Sequence, residues 1–135
     1  MRLARTVVVS LITLTALACA RYPERTLLTR FFAASRLRDL TALRTFSTVV
    51  FEPASDGIVT SFEISGMTTA QGPDGVPVSE DVSIAAPVRL PDGRTVLKTF
   101  VVTMERSRPA AQDPGSGWMI TAISERSASP STPRP

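Results

Sequence analysis

Cys19 is the one cysteine in this 135-residue chain, and the chain holds no histidine. A thiol can bind a metal, pair into a disulfide, act as a nucleophile or be acylated. The first three need partners. Without a second cysteine there is no internal disulfide; without histidine there is no Cys/His zinc set and no triad built on an imidazole base. A metal site made of carboxylates alone would need acids clustered in space, so neither a metal nor a cofactor is expected. What surrounds Cys19 points to modification. Arg2 and Arg5 precede an uncharged, mostly apolar run of twelve residues, 6–17, and Ala16 and Ala18 form an A-x-A pattern. A membrane span needs roughly 20 apolar residues, whereas an export signal needs about 7–15. Residues 1–18 therefore read as a signal peptide.

The segment Leu14-Thr15-Ala16-Leu17-Ala18-Cys19 resembles the lipobox of bacterial lipoproteins, with Ala16 standing where leucine is commonest. The resemblance implies that Cys19 is diacylated on sulfur, becomes the new N-terminus and is acylated on its amine. Such a chain meets a membrane through its lipid anchor, and several acyl chains hold stably where one is marginal. Acylation would also account for an exported chain with one unpaired thiol. Ala20, rather than aspartate, follows the cysteine, which implies the periplasmic face of the outer membrane where two membranes exist. Two other readings use the same residues. Ordinary cleavage after Ala18 or Ala20 would release a secreted protein, and an uncleaved segment would remain as an anchor.

Beyond the signal, 117 residues carry 13 basic and 12 acidic side chains, close to neutrality. Fourteen of the chain's fifteen basic residues are arginine, yet they form no block and no aromatic-interleaved stripe. Nucleic acid is therefore not an expected partner. The length suits one domain with one core.

The elements that position any site follow from periodicity. Residues 19–22 form a short tether. Pro23 suits a first helical turn, and Leu27, Leu28, Phe31, Phe32 and Ala34 recur at helical spacing after it. Asp39 can cap a second helix, about 40–48, with Leu40, Leu43 and Phe46 inward. Past Pro53 the period becomes two, with Ile58, Thr60, Phe62 and Ile64 facing one way. Residues 66–77, with three glycines and two prolines, read as a long flexible connection. Val82, Ile84, Ala86, Val88 and Leu90 then alternate strictly, and Pro87 suggests an edge or a bulge. Asp92-Gly93 signals a tight hairpin into a strand over 95–105. Residues 107–117 break that strand, 118–124 form a last one, and 127–135 read as a disordered tail. The expected fold is α+β: two N-terminal helices packed on a curved four-stranded antiparallel sheet, a domain over 23–126.

Two stretches carry a further resemblance. Residues 24–34 (ERTLLTRFFAA) followed by 38–43 (RDLTAL), and the ending 117–123 (GWMITAI), are similar to the opening and close of nuclear-transport-factor-2-like (cystatin-like) domains. The resemblance implies a cone-shaped sheet around the first helix, with a cleft between helix and sheet. Phe31, Leu43, Phe62, Phe100 and Trp118 are the residues expected to line it, unless they simply fill the core. The leading expectation is a non-catalytic envelope lipoprotein that binds a partner protein or a small apolar molecule there. An enzyme resembling the isomerases or dehydratases of that superfamily is the alternative, as is an envelope assembly subunit. Isomerase chemistry would need a carboxylate base and an oxyanion hole. The one tyrosine, Tyr22, lies in the tether, and Glu63, Glu80 and Asp81 read as solvated strand-face charges. No catalytic residue is therefore assigned.

Overall fold

In the computed structural model, residues 23–106 and 117–127 are described. The signal peptide, Cys19 and its tether, residues 107–116 of the expected break and the tail from 128 lie outside the described residues. Two helices, α1 (Pro23–Leu37) and α2 (Leu40–Phe46), pack against a curled antiparallel sheet, and a third of one turn, α3 (Pro53–Asp56), has no buried residue. The strands are β1 (Ile58–Val59), β2 (Glu63–Gln71), β3 (Pro77–Arg89), β4 (Thr95–Arg106) and β5 (Trp118–Glu125). The class is α+β, but the sheet has five strands rather than four.

Two tight devices join the first helices. Arg38 N–H donates to the Ser35 carbonyl (3.0 Å) and Asp39 N–H to the Ala34 carbonyl (2.9 Å), with Arg38 at φ 55°. This is the paired closure that ends a helix on a left-handed residue, here without the usual glycine. The Asp39 side chain then accepts the Ala42 N–H at 2.9 Å and caps α2, as its position predicted. One residue thus closes α1 with its backbone and opens α2 with its carboxylate.

β3 is the long interior strand. It pairs β4 from Ser79 to Arg89, while its other side is shared by β1 at one end and β2 at the other. Pro87 explains the division. At the β3–β4 turn Leu90 N–H donates to the Arg94 carbonyl (2.7 Å), and the register runs unbroken from there. Bonding direction alternates along an antiparallel strand, so odd-numbered residues of β3 face the β1/β2 side. Pro87 therefore offers no donor at the position of Thr60, where β1 stops. The proline lies in an interior strand, opposite a gap in its neighbour.

Residues 60–62 cross that gap opposite only Ala86 and Pro87. The extra residue inverts the alternation. Val59 is buried and Ile58 only half-buried, whereas Phe62 and Ile64 pack against the core as their spacing predicted. Residues 66–71, expected in a flexible connection, instead pair with 77–83 as the outer half of a hairpin. Its turn repeats the one between β3 and β4. Pro73-Asp74-Gly75 and Pro91-Asp92-Gly93 each place glycine at positive φ, 76° and 89°, and each Asp accepts the N–H two residues on. At Gly57 two demands coincide. Its φ is 91°, and a Cβ there would lie 2.7 Å from Val88 Cγ1 and 2.8 Å from the Arg89 carbonyl oxygen.

The core lies between α1 and the inner face of the sheet. Leu28, Phe31 and Phe32 meet Val82, Ile84, Ala86 and Val88 from β3, Phe100, Val102 and Met104 from β4, and Ile120 from β5. Aromatic edges link the layers: Phe32 to Phe51 at 5.5 Å and Phe51 to Phe100 at 5.7 Å between ring centres. The β5 edge is partly covered, because Thr48 N–H donates to the Ile120 carbonyl at 2.9 Å.

The α1–α2 junction gives neighbouring substitutions of opposite sign. Asp39→Ala is expected to cost about 1 kcal/mol through loss of the cap. Arg38→Gly should stabilise by roughly 0.5–1 kcal/mol, the relief of left-handed strain being partly offset by glycine's freedom in the unfolded chain. Urea midpoints of the two variants check both signs.

Candidate functional site

The five residues expected to line one cleft do not share one. Phe31, Leu43 and Phe100 are at most 4% exposed and belong to the core. The space between α1 and the sheet is filled where they lie. Phe62 is half-buried on one flank, in an open groove with Arg25, Thr29, Phe32, Arg36, Thr60 and Ser61. The edge of Phe100 reaches a second open groove, of about 370 Å³, beside Val50, Lys98 and Glu125. Lys98 and Glu125 pair there at 2.7 Å. Trp118 stands apart from both, at the end of the sheet where α1 begins.

That end carries the chemistry. Pro23, Glu24 and Leu27 from the first two turns of α1 face Glu80 of β3, Met104 of β4 and Trp118 of β5 across a narrow cleft with a free volume of about 10 Å³, room for about one water. Alternation explains Glu80. It lies two residues before Val82, so it points to the same inner face as Val82, Ile84, Ala86 and Val88. The same pattern could have placed it there from sequence. The reading of Glu80 as a solvated strand-face charge is corrected accordingly: it is half-buried in the cleft.

Glu24 and Glu80 meet as two acids with too few donors. One side-chain oxygen of each, Oε2, is buried without a hydrogen-bond partner. Two ionised carboxylates can only accept, so both orphans persist while both groups are charged. A proton on Glu80 removes the conflict, because its hydroxyl can then donate to Glu24. Burial, followed by the Glu24 charge and a hydrogen bond with Glu24, raises the Glu80 pKa above the ordinary 4.5; Thr69 and Arg106 pull weakly the other way. Glu24 sits in the first turn of α1. Burial beside Glu24 thus moves Glu80 toward the form that could donate, while the fold itself supplies neither Oε2 with a donor.

The walls are apolar and aromatic. The Arg106 guanidinium lies over the Trp118 ring, 5.1 Å from its centre, on the register pair that ends the β4–β5 ladder. The arrangement can accept a hydrogen-bond donor beside an apolar surface. Among the described residues no group of three or more His, Cys, Asp or Glu is placed to hold a metal ion. No described helix is long and apolar enough to cross a membrane. Comparison with protein-family models, with curated proteins and with solved structures gave no match.

The raised Glu80 pKa has a definite sign in stability. Between 4.5 and its folded value, the folded chain keeps a proton that the unfolded chain has released. Stability from this group is therefore complete below 4.5 and is lost as pH rises through the folded pKa. Glu80→Gln keeps a donor toward Glu24 without titrating. Thermal midpoints measured from about pH 4 to about pH 8 should fall less steeply in Glu80→Gln than in the parent chain, with the variant the more stable at the alkaline end. Parallel profiles would show that the pair does not share a proton.

Proposed function

We propose that this chain is a non-catalytic lipoprotein of the cell envelope, anchored by acyl chains on Cys19 after removal of residues 1–18. Its domain, a cystatin-like cone of sheet around α1, binds at the cleft where α1 begins rather than in its filled interior. The occupant is a small apolar molecule, or an apolar side chain of a partner protein, that carries a hydrogen-bond donor at one end and enters as the Leu27 and Trp118 side chains part, since the closed cleft has room for about one water. Leu27, Met104 and Trp118 would receive the apolar part; Glu24 and Glu80 would receive the donor. The observation that carries this reading is the pair of buried, donor-less oxygens set against an apolar wall. A donor from outside can satisfy what the fold leaves unsatisfied.

An enzyme is the second reading, and the same carboxyl pair favours it, since adjacent acids with one proton between them can serve as base and acid. It lacks a partner for developing charge. Arg106, the cation that acts on Glu80, is engaged over the Trp118 ring. Binding accounts for the cleft with fewer requirements.

Two measurements test the proposal. Intact mass of the membrane-extracted protein should begin at Cys19 and include its acyl chains, while Cys19→Ala should leave the membrane fraction. An unmodified mature mass would remove the anchor. Trp118 is the one tryptophan, so its fluorescence reports the cleft directly. Octylamine should change the emission saturably, and Glu80→Gln should weaken the response by about tenfold or more, as loss of a hydrogen bond to a charged group implies. Emission indifferent to octylamine would refute a donor-bearing apolar ligand.

A further inference from the structure

The β2–β3 hairpin carries three of the seven large hydrophobic side chains that are exposed among the described residues: Met67, Val76 and Val78. It extends past the start of α1. Glu80 already faces Glu24 in the first helical turn, and Val78 and Val76 lie two and four residues further toward the hairpin turn. At about 3.3 Å per residue they stand roughly 7–13 Å beyond that helix end. Nothing in α1 covers this part of the hairpin. Arg25 borders it, sharing an open groove with Ile64 and Met67.

The tether fixes which end of the fold is near an anchor. Cys19 precedes Pro23 by four residues, and four residues reach at most about 14 Å. The far end of the sheet is out of range. Leu97 pairs with Pro87, ten residues along β3 from Pro77, or about 33 Å of strand. The near end has exposed aliphatics, a half-buried tryptophan and two arginines, Arg25 and Arg106, held over the Phe62 and Trp118 rings, beside the acids Glu24, Glu80, Asp81 and Glu105. Asp74 in the hairpin turn is held to the Val76 N–H at 3.2 Å and keeps the tip polar, which favours contact along the hairpin's side.

We propose that the β2–β3 hairpin, through Met67, Val76 and Val78, rests on the lipid surface beside the acylated Cys19. This inference rests on the lipid-anchor reading above. It gives the domain one orientation on the membrane, with the cleft of Glu24, Glu80 and Trp118 held just above the lipid headgroups and the β3–β4 turn directed away.

Acylation leaves any introduced cysteine as the only free thiol, so the test uses the full-length lipidated protein. Val76→Cys and Leu97→Cys, both at exposed positions, are labelled with an environment-sensitive dye. Each is placed in phosphatidylethanolamine/phosphatidylglycerol vesicles containing doxyl-labelled lipid. The dye at 76 is expected to shift to the blue and to be quenched by the doxyl lipid, while the dye at 97 does neither. Equal emission at both positions on a protein of acylated mass overturns the docking and leaves the anchor standing. A mass without acyl chains overturns the anchor and the docking with it. Protection at 76 that follows protein density and ignores the doxyl lipid assigns the hairpin to a second copy of the chain, and also overturns the proposal.

Discussion

Everything in this fold depends on enclosing one face of α1. Leu28, Phe31, Phe32 and Ser35 are all buried, so the helix presents adjacent phenylalanines and both sides of its apolar stripe to the interior. A flat sheet touches a helix along a narrow line and would leave one of those rings in water. A curled sheet reaches around both. Burying a phenylalanine contributes roughly 1.5–3 kcal/mol, and a domain of this size has few such side chains to spare. The constraint passes from the helix to the sheet: the strands must bend, and residues must be found that let them.

The bending is written into β3 and its neighbours. Pro87 withholds a donor, β1 ends after two residues, and three residues cross where two would suffice. A second irregularity follows between Ile64 and Gly66. Extra residues on one side of a ladder increase local twist, which wraps the β1/β2 edge toward α1. On the other side, Phe51 comes in from the segment before α3 and joins Phe32 to Phe100, closing the gap between helix and β4. The Ser35 hydroxyl, buried on α1, donates to the Phe51 carbonyl and fixes that segment against the helix. The polar groups that the closure buries are thereby satisfied within it.

Much of this was legible, and the exceptions share a cause. Helical spacing from Leu27 to Ala34 and the cap at Asp39 depend on neighbours close in sequence, and both read correctly. So did the alternation of Val82, Ile84, Ala86 and Val88. The stretch 66–71 did not, because its glycine and small polar residues have no strong preference of their own. It becomes a strand by pairing with 77–83, a long-range effect that local propensity does not contain. Yet a hairpin signal is present in Pro73-Asp74-Gly75, which repeats Pro91-Asp92-Gly93 residue for residue. The phase error at Ile58 has the same origin, since a residue inserted opposite Pro87 is visible only once the partner strand is known. Phe31, Leu43 and Phe100 illustrate the converse: apolar spacing locates an interior, and it says nothing about whether that interior is open.

Glu80 is the residue that packing alone does not explain. It continues the inner-face series of β3 at a position where valine or leucine would meet Leu27, Met104 and Trp118 without leaving any oxygen unsatisfied. Replacing a partly buried charged group by an apolar one of similar size is commonly neutral or stabilising. Glu24 opposite it compounds the cost, since two acids in contact must either repel or give up an ionisation. A local choice that works against the surrounding structure is where function is to be sought, because stability alone would not select it. Glu24 stands in the first turn of α1, five residues after Cys19 in sequence, and Glu80 faces it from β3. The chemistry that the fold leaves incomplete and the chemistry proposed to hold it at a membrane therefore lie side by side, and an occupant of the cleft would be met where the lipid surface begins.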